Sequence, residues 1–205
     1  VTTTDELIPS GETSSYRSNP LRLAEFTLSR RVPEYVDRSK AVARQEKARR
    51  EGTLSEHLRQ VLSQVGDADR LAESTQFGSA VFANKPGDGS AREQAASCQK
   101  VLGGFANICY QFATKRYRSN CINWGILPFT VDEDTPFDYE SGDCVFVPHI
   151  RQAVEQGRED IPAKVICQDG SVHDLLLHVK GLTADEKEIL LRGCLMNYYA
   201  ARNKE

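Results

Sequence analysis

The chain has 205 residues, with 26 Lys and Arg against 29 Asp and Glu, a net charge of −3 and a sequence pI near 5.9. That balance gives no global basic field to hold nucleic acid or an anionic membrane, and an apolar content of 40% excludes wholesale disorder. No apolar run approaches the roughly 20 residues of a membrane span, and the opening VTTTDELIP lacks the charged-then-apolar layout of a signal peptide, so the chain reads as soluble and cytosolic.

At about 150 residues per domain, the length suits one large domain or one domain with an additional segment. We place a lead-in of loop and helices over residues 1–75 and an α/β domain over residues 76–205. The sequence begins at Val1 and its single methionine is Met196, which reads as an excised piece or a chain missing its beginning.

The first stretch, TTDELIPSGETSSYRSNP, is crowded with Thr, Ser, Gly and Pro and carries no helical or strand period. Asn19 and Pro20 form a cap and first-turn pair for a helix to about Ser29, with Leu21, Ala24 and Leu28 on one face. Residues 36–51 are rich in Arg and Lys and read as a solvated helix face or a linker. Thr53 with Glu56 has the spacing of a capping box, followed by Leu54, Leu58, Val61, Leu62 and Val65 at helical intervals before Gly66.

A short apolar run, Ala80 to Ala83, leads into the turn NKPGDGSARE, where Ser90 is placed to cap the next helix. FANICYQF (105–112) reads as a strand, ATKRYRSNCINWG as a helix ending at Gly125, and ILPFTV as a further strand. DCVFVPHI (143–150) and AKVICQDGSVHDLLLHV (163–179) supply three more, the last two joined by a turn at Asp169 and Gly170. Thr183 and Glu186 open a closing helix that runs to about Arg202. Strands interleaved with helices indicate an α/β fold with a mixed sheet.

Six cysteines (Cys98, Cys109, Cys121, Cys144, Cys167, Cys194) lie apart with no CxxC pair, which leaves no zinc knuckle and no self-contained iron-sulfur loop to read; they are expected to be buried core thiols. The four histidines stand in no motif that would make one a partner of Ser90, and His173 and His178 read as structural. Trp124, Tyr110, Phe112 and Phe129 read as core aromatics.

The turn GDGSARE carries the chemistry. Two glycines permit close backbone approach, Ser90 stands where a helix presents unpaired N–H groups, and Arg92 offers a guanidinium from the first turn. A serine so placed could act as a base, its alkoxide stabilised by amides and the helix dipole; an ordinary capped helix after a turn fits the same residues. Neither GxxxxGK[ST] nor GxGxxG is met.

GDGSAREQAA, the GG of VLGGFANICYQFA and NCINWGILPFTV together resemble the C-terminal swivelling domain of the aconitase and isopropylmalate isomerase family, whose pattern is roughly GxGSSREHAA…GG…N…GLLP. TTDELIPSGETSSYR resembles that family's TTDHIS…R segment, and LTADEKEILLRGCLMNYYAARN has the character of its closing helix. The bacterial aconitase-like hydratases are the subgroup most similar. The resemblance implies a β/β/α swivelling domain with a mixed sheet flanked by helices, belonging to a hydro-lyase that acts on a di- or tricarboxylic hydroxy acid.

It also implies roles at matching positions. Ser90 would be the base that removes a carbon-bound proton, and Arg92 would hold substrate and support the serine oxyanion. Arg17 would pair with a substrate carboxylate, and Asp5 would be a substrate-side or orienting carboxylate. Ala91 stands where the family has a second serine, and Ser10 is the nearby substitute for the serine of DHIS, which reads DELI here. Asn120 matches a family asparagine that could buttress the site.

The family's [4Fe-4S] cluster would sit on domains outside this chain, so cluster-bearing domains or a large subunit are the implied partners and the isolated chain is expected to be inactive. Two alternatives remain at this level. One is a free-standing small subunit of an isopropylmalate-type dehydratase. The other is an RNA-binding module using Arg38, Lys40, Arg44, Lys47, Arg49 and Arg50, although acidic residues interrupt that run and no aromatic platform accompanies it.

Overall fold

The computed structural model describes residues 1–9 and 18–203. Its elements are β1 (Thr2–Thr3), α1 (Thr4–Leu7), α2 (Pro20–Ala24), α3 (Tyr35–Arg50), α4 (Glu56–Ser63), α5 (Ala68–Ser74), β2 (Ser79–Ala83), β3 (Pro86–Asp88), α6 (Arg92–Val101), β4 (Gly104–Cys109) and α7 (Lys115–Asn123). They continue with β5 (Leu127–Thr130), β6 (Cys144–Phe146), α8 (Ile150–Glu155), β7 (Asp160–Ile166), β8 (Val172–His178), α9 (Ala184–Arg192) and α10 (Leu195–Arg202). The main sheet has the order β2-β4-β5-β8-β7-β6. Its first three strands run parallel and the remainder antiparallel, which is the mixed sheet expected from the sequence.

The two halves of the sheet follow from their connections. β2, β4 and β5 are joined through α6 and α7, because parallel neighbours need a crossover. β7 and β8 are joined by a tight turn in which Cys167 N–H donates to Ser171 O at 2.9 Å and Gly170 adopts φ +84°. The burial of β7 and β8 alternates, with Ile161, Ala163 and Val165 facing Leu175 and Leu177 in a core shared with Ile108, Phe129 and Ala153.

A second core joins the start of the chain to the crossover helices. Leu7 and Ile8 are fully buried, with Leu23 and Ala24, against Ala95, Ala96 and Cys98 of α6 and Tyr117 and Cys121 of α7. Each large side chain so buried contributes about 1.5–3 kcal/mol, which is what fixes α1 beside the turn after β3. Glu46 fastens α3: it pairs with Arg49 and accepts the Phe77 N–H at 2.8 Å, while Arg49 donates to Ala72 O at 2.8 Å. The basic run of α3 is thereby largely neutralised, since Lys40 also meets Glu25 at 3.3 Å and Arg38 meets Glu34 at 3.7 Å.

Several boundaries differ from the sequence reading. The helix after Asn19, whose side chain does accept from Arg22 N–H, ends at Ala24 rather than Ser29. Three-residue turns replace it, and Leu28 takes φ +55° to give its N–H to Leu7 O at 2.8 Å. Leu21 is exposed. The cap of α4 is Ser55, not Thr53: the Ser55 hydroxyl accepts the Leu58 N–H at 3.2 Å. The Thr183–Glu186 capping box is present, but Gly193 at φ +94° divides the closing helix into α9 and α10. α1, α5 and α8 were not expected, nor were β1 and β3, which fall in stretches read as a loop and a turn.

Candidate active site

β2 and β4 pair in parallel and finish side by side, with Ala83 opposite Cys109. From each strand end the chain turns and enters a helix, so the N-termini of α6 and α7 meet at the carboxyl edge of the parallel half. Open α/β sheets place ligands at that edge. The turn between β2 and α6 is pinned on both sides. β3 pairs with β1 through Thr2 opposite Pro86 and Thr3 opposite Asp88. Gly87, at φ +100°, lies so close to the Tyr117 ring that a Cβ there would overlap it. At Gly89, φ +125°, a Cβ would overlap the Thr4 hydroxyl.

Ser90 emerges from this turn exposed. It does not cap α6, contrary to the sequence reading: Ala91 holds the cap position with φ −82° and ψ 43° and no side-chain hydrogen bond. The first helical bond inward is Ala95 N–H to Ala91 O at 3.0 Å, so the amides of Arg92, Glu93 and Gln94 have no acceptor among the described residues. The Ser90 hydroxyl likewise has none.

A cleft of about 380 Å³ opens here, lined by Ser90, Arg92, Glu93, Lys115, Arg116, Ser119 and Asn120. Three cations face one carboxylate in it, and both helix dipoles direct their positive ends toward it. The Arg92 Nε is buried with no hydrogen-bond partner. Among the described residues the side chains of Arg92, Lys115, Arg116, Ser119 and Asn120 make no hydrogen bond or ion pair. By contrast Arg118, on the same helix, donates to Lys180 O at 2.5 Å and approaches Glu186 at 3.8 Å. The cleft therefore offers donors and positive charge with nothing among the described residues to receive them.

A buried polar brace holds its two walls. Tyr117 lies on α7, fully buried, and its hydroxyl accepts from Gln99 Nε2 on α6 at 3.0 Å and Asn107 Nδ2 on β4 at 2.8 Å. Asn107 also donates to Cys121 Sγ at 3.3 Å. Burial raises the Tyr117 hydroxyl well above its ordinary pKa, so it stays protonated across the physiological range.

Of the residues singled out from the sequence, Ser90, Ala91 and Arg92 share the turn at the cleft. Asp5 sits on α1 beside that turn, but its carboxylate bonds Arg30 Nη1 at 2.7 Å, and it is not part of the cleft lining. Ser10 and Arg17 fall outside the described residues. Lys115, Arg116 and Ser119 were missed by sequence reasoning, because a polar, cationic helix start reads as a solvated face until packing places it opposite Ser90.

No histidine lines the cleft. His178 is buried elsewhere, with Nδ1 2.8 Å from Asp160 and Nε2 3.1 Å from Asp132. All six cysteines are free. Burial pushes Cys98 and Cys144 up to about 11 and Cys109 and Cys121 to about 12. Among the described residues no three His, Cys, Asp or Glu side chains converge as metal ligands. These thiols do not fit an iron-sulfur cluster, which needs thiolates gathered at one point.

An α/β domain with a cleft of mostly positive charge at the ends of its parallel strands is the class that fold and site define. Residues 37–134, which span every residue of the cleft, match the aconitase C-terminal domain model. The matched stretch is just under half of the chain. Aconitate hydratase A of Bradyrhizobium diazoefficiens is 29% identical over 137 residues, covering 65% of this chain. The matched part is 15% of that relative's length. In fold, the chain is similar to 3-isopropylmalate dehydratase from Methanocaldococcus jannaschii, with a TM-score of 0.53 and 21% identity over 98% of this chain and 88% of that one.

Proposed function

We propose that the chain is the small domain of a hydro-lyase that adds or removes water on a di- or tricarboxylic hydroxy acid. Ser90 is its base and Arg92 its carboxylate-binding cation. The observation that carries the reading is an unbonded hydroxyl standing at an uncapped helix start, in a cleft whose neighbouring charges are mostly positive and unpartnered. A carbon-bound proton next to a carboxylate becomes removable when the carboxylate is held by a guanidinium, which accepts part of the developing negative charge. Ser90 Oγ takes that proton. Its deprotonated form is supported by the free amides of Arg92, Glu93 and Gln94 and by the positive end of α6.

In relatives of this kind the [4Fe-4S] cluster supplies Lewis-acid help to the departing hydroxyl. This chain's thiols do not fit it, so we assign the cluster to cluster-bearing domains or a large subunit and expect the chain alone to be inactive. Aconitate hydratase A is similar to this chain in sequence, which supports the reaction class. The experiment follows exchange of the substrate's carbon-bound proton with deuterated solvent by NMR, in the protein together with its cluster-bearing part. Ser90→Ala should lower exchange by a factor on the order of 10²–10⁴, the usual worth of a positioned base, with the cluster content unchanged. Exchange in Ser90→Ala within tenfold of the parent would overturn the assignment.

A further inference from the structure

We infer that His178 is a proton-operated clamp in the main sheet. As an imidazolium it ties the segment leaving β5, through Asp132, to the start of β7, through Asp160, and loss of its proton frees the Asp132 side. The inference stands apart from the hydro-lyase reading. The two halves of the sheet meet between β5 and β8, where a single register pair joins them, Thr130 opposite His178. β7 and β8, by contrast, pair along their whole length. The residue at this thin joint is the one whose ring reaches a carboxylate on either side of it.

His178 is 6% exposed. Its Nδ1 makes a hydrogen bond of 2.8 Å with Asp160 Oδ1, and its Nε2 lies 3.1 Å from Asp132 Oδ1. An ionised carboxylate only accepts, and a neutral imidazole carries one N–H and one lone pair. Asp160 takes the Nδ1 proton, so a neutral ring turns its Nε2 lone pair toward the Asp132 carboxylate. That nitrogen is buried, and no donor among the described residues relieves it. A proton on Nε2 reverses the sign of the contact and sets opposite charges beside each other where water is largely excluded. The neutral ring keeps Asp160, its cross-strand partner, and gives up Asp132.

The neighbouring charges leave the ring to these two carboxylates. Glu159 accepts the Gly181 N–H at 2.8 Å, and on α7, which packs on β5, Arg118 donates to Lys180 O and approaches Glu186 at 3.8 Å. Lys180, Glu133 and Asp134 stand close in the chain and make no ion pair with the ring among the described residues. What the clamp holds is the start of a segment that lies on the strand ends. Thr135 N–H donates to Asp132 O at 2.9 Å, Thr135 O accepts the Tyr110 hydroxyl at 2.7 Å, and Phe137 stacks on Phe82 with centroids 4.0 Å apart. Ala83, Cys109, Thr130, His178 and Asp160 are successive partners in one row across the sheet. The clamp therefore acts on the same carboxyl edge from which β2 and β4 lead into the Ser90 turn and α7.

The test is NMR of the 205-residue chain at about pH 5.5 and about pH 8.5, either side of the ordinary histidine range and with carboxylates ionised at both. Ring nitrogen shifts should show His178 protonated on both nitrogens at the lower pH and on Nδ1 alone at the higher. Amide exchange protection at Val131 and Thr135, corrected for the intrinsic pH dependence, should fall by about threefold or more on going up, while the β7–β8 ladder stays level. Asp132→Asn, at a half-exposed position, keeps the side-chain shape and removes the charge. It should give the lower protection at both pH values, with the β7–β8 amides reporting that the fold is intact. A ring with a single proton at the lower pH, a smaller change in the parent, or an undiminished pH response in Asp132→Asn would each overturn the clamp.

Discussion

Replacing Tyr117 by Phe removes one oxygen and keeps the ring that packs beneath Gly87, so it separates the polar brace from the apolar packing around it. Gln99 Nε2 and Asn107 Nδ2 then lose their shared acceptor at positions 1% and 2% exposed, where no bulk water replaces it. Each unsatisfied buried donor costs about 1–3 kcal/mol. Asn107 keeps its contact with Cys121 Sγ, which favours the lower half of that range and gives about 2–3 kcal/mol for the pair. For a chain of this size each kcal/mol moves the melting temperature by about 2–4 °C, so a fall of roughly 5–10 °C is expected. Urea unfolding followed by far-ultraviolet circular dichroism measures the stability, and a thermal scan the midpoint. A variant within about 0.5 kcal/mol of the parent, the range of an ordinary surface change, would refute the brace.

Gly89→Ala should cost about 2–4 kcal/mol, because it forces a side chain into φ +125° and onto the Thr4 hydroxyl; unchanged unfolding together with unchanged proteolysis of the first residues would contradict the contact. Stability should fall as pH rises from about 9 toward 12. The folded state keeps Cys109 and Cys121 protonated to about 12 and Cys98 and Cys144 to about 11, while unfolded thiols ionise from about 8.5 upward, so the folded chain binds more protons across that window. Tyr35 and Tyr117, both raised by burial, act in the same direction, and Lys100, lowered by burial, opposes them singly. Urea midpoints that stay level or rise between pH 9 and 11 would contradict this.

The strands of the main sheet were legible in the sequence as short apolar runs bounded by turn residues, as at Ala80–Ala83 and around Asp169 and Gly170, whereas β1 and β3, made of Thr2–Thr3 and Pro86–Asp88, carry no apolar run to read. Helix ends were less so. Thr53 and Ser55 both precede Glu56 closely, and the spacing alone favoured Thr53, whereas the cap hydrogen bond runs from Leu58 N–H to Ser55. α8 begins at His149 with φ 57° and no side-chain cap, leaving no local signal to read. The break at Gly193 was hidden because apolar residues continue on both sides of it. The Ser90 turn was visible through its glycines, but its partners on α7 are a matter of tertiary packing. Lys115 and Arg116 become part of a cleft only because Tyr117 fastens α7 to α6 and β4.

The bare start of α6 leaves the domain thermodynamically unfinished at the cleft. A capping hydroxyl or carboxylate at position 91 typically adds about 1 kcal/mol, and Ala91 forgoes it. Whatever anion completes that helix also tightens the whole fold, by about 1.4 kcal/mol at ten times its dissociation constant. Occupancy of the cleft can thus be read as a rise in melting temperature, before any turnover is measured.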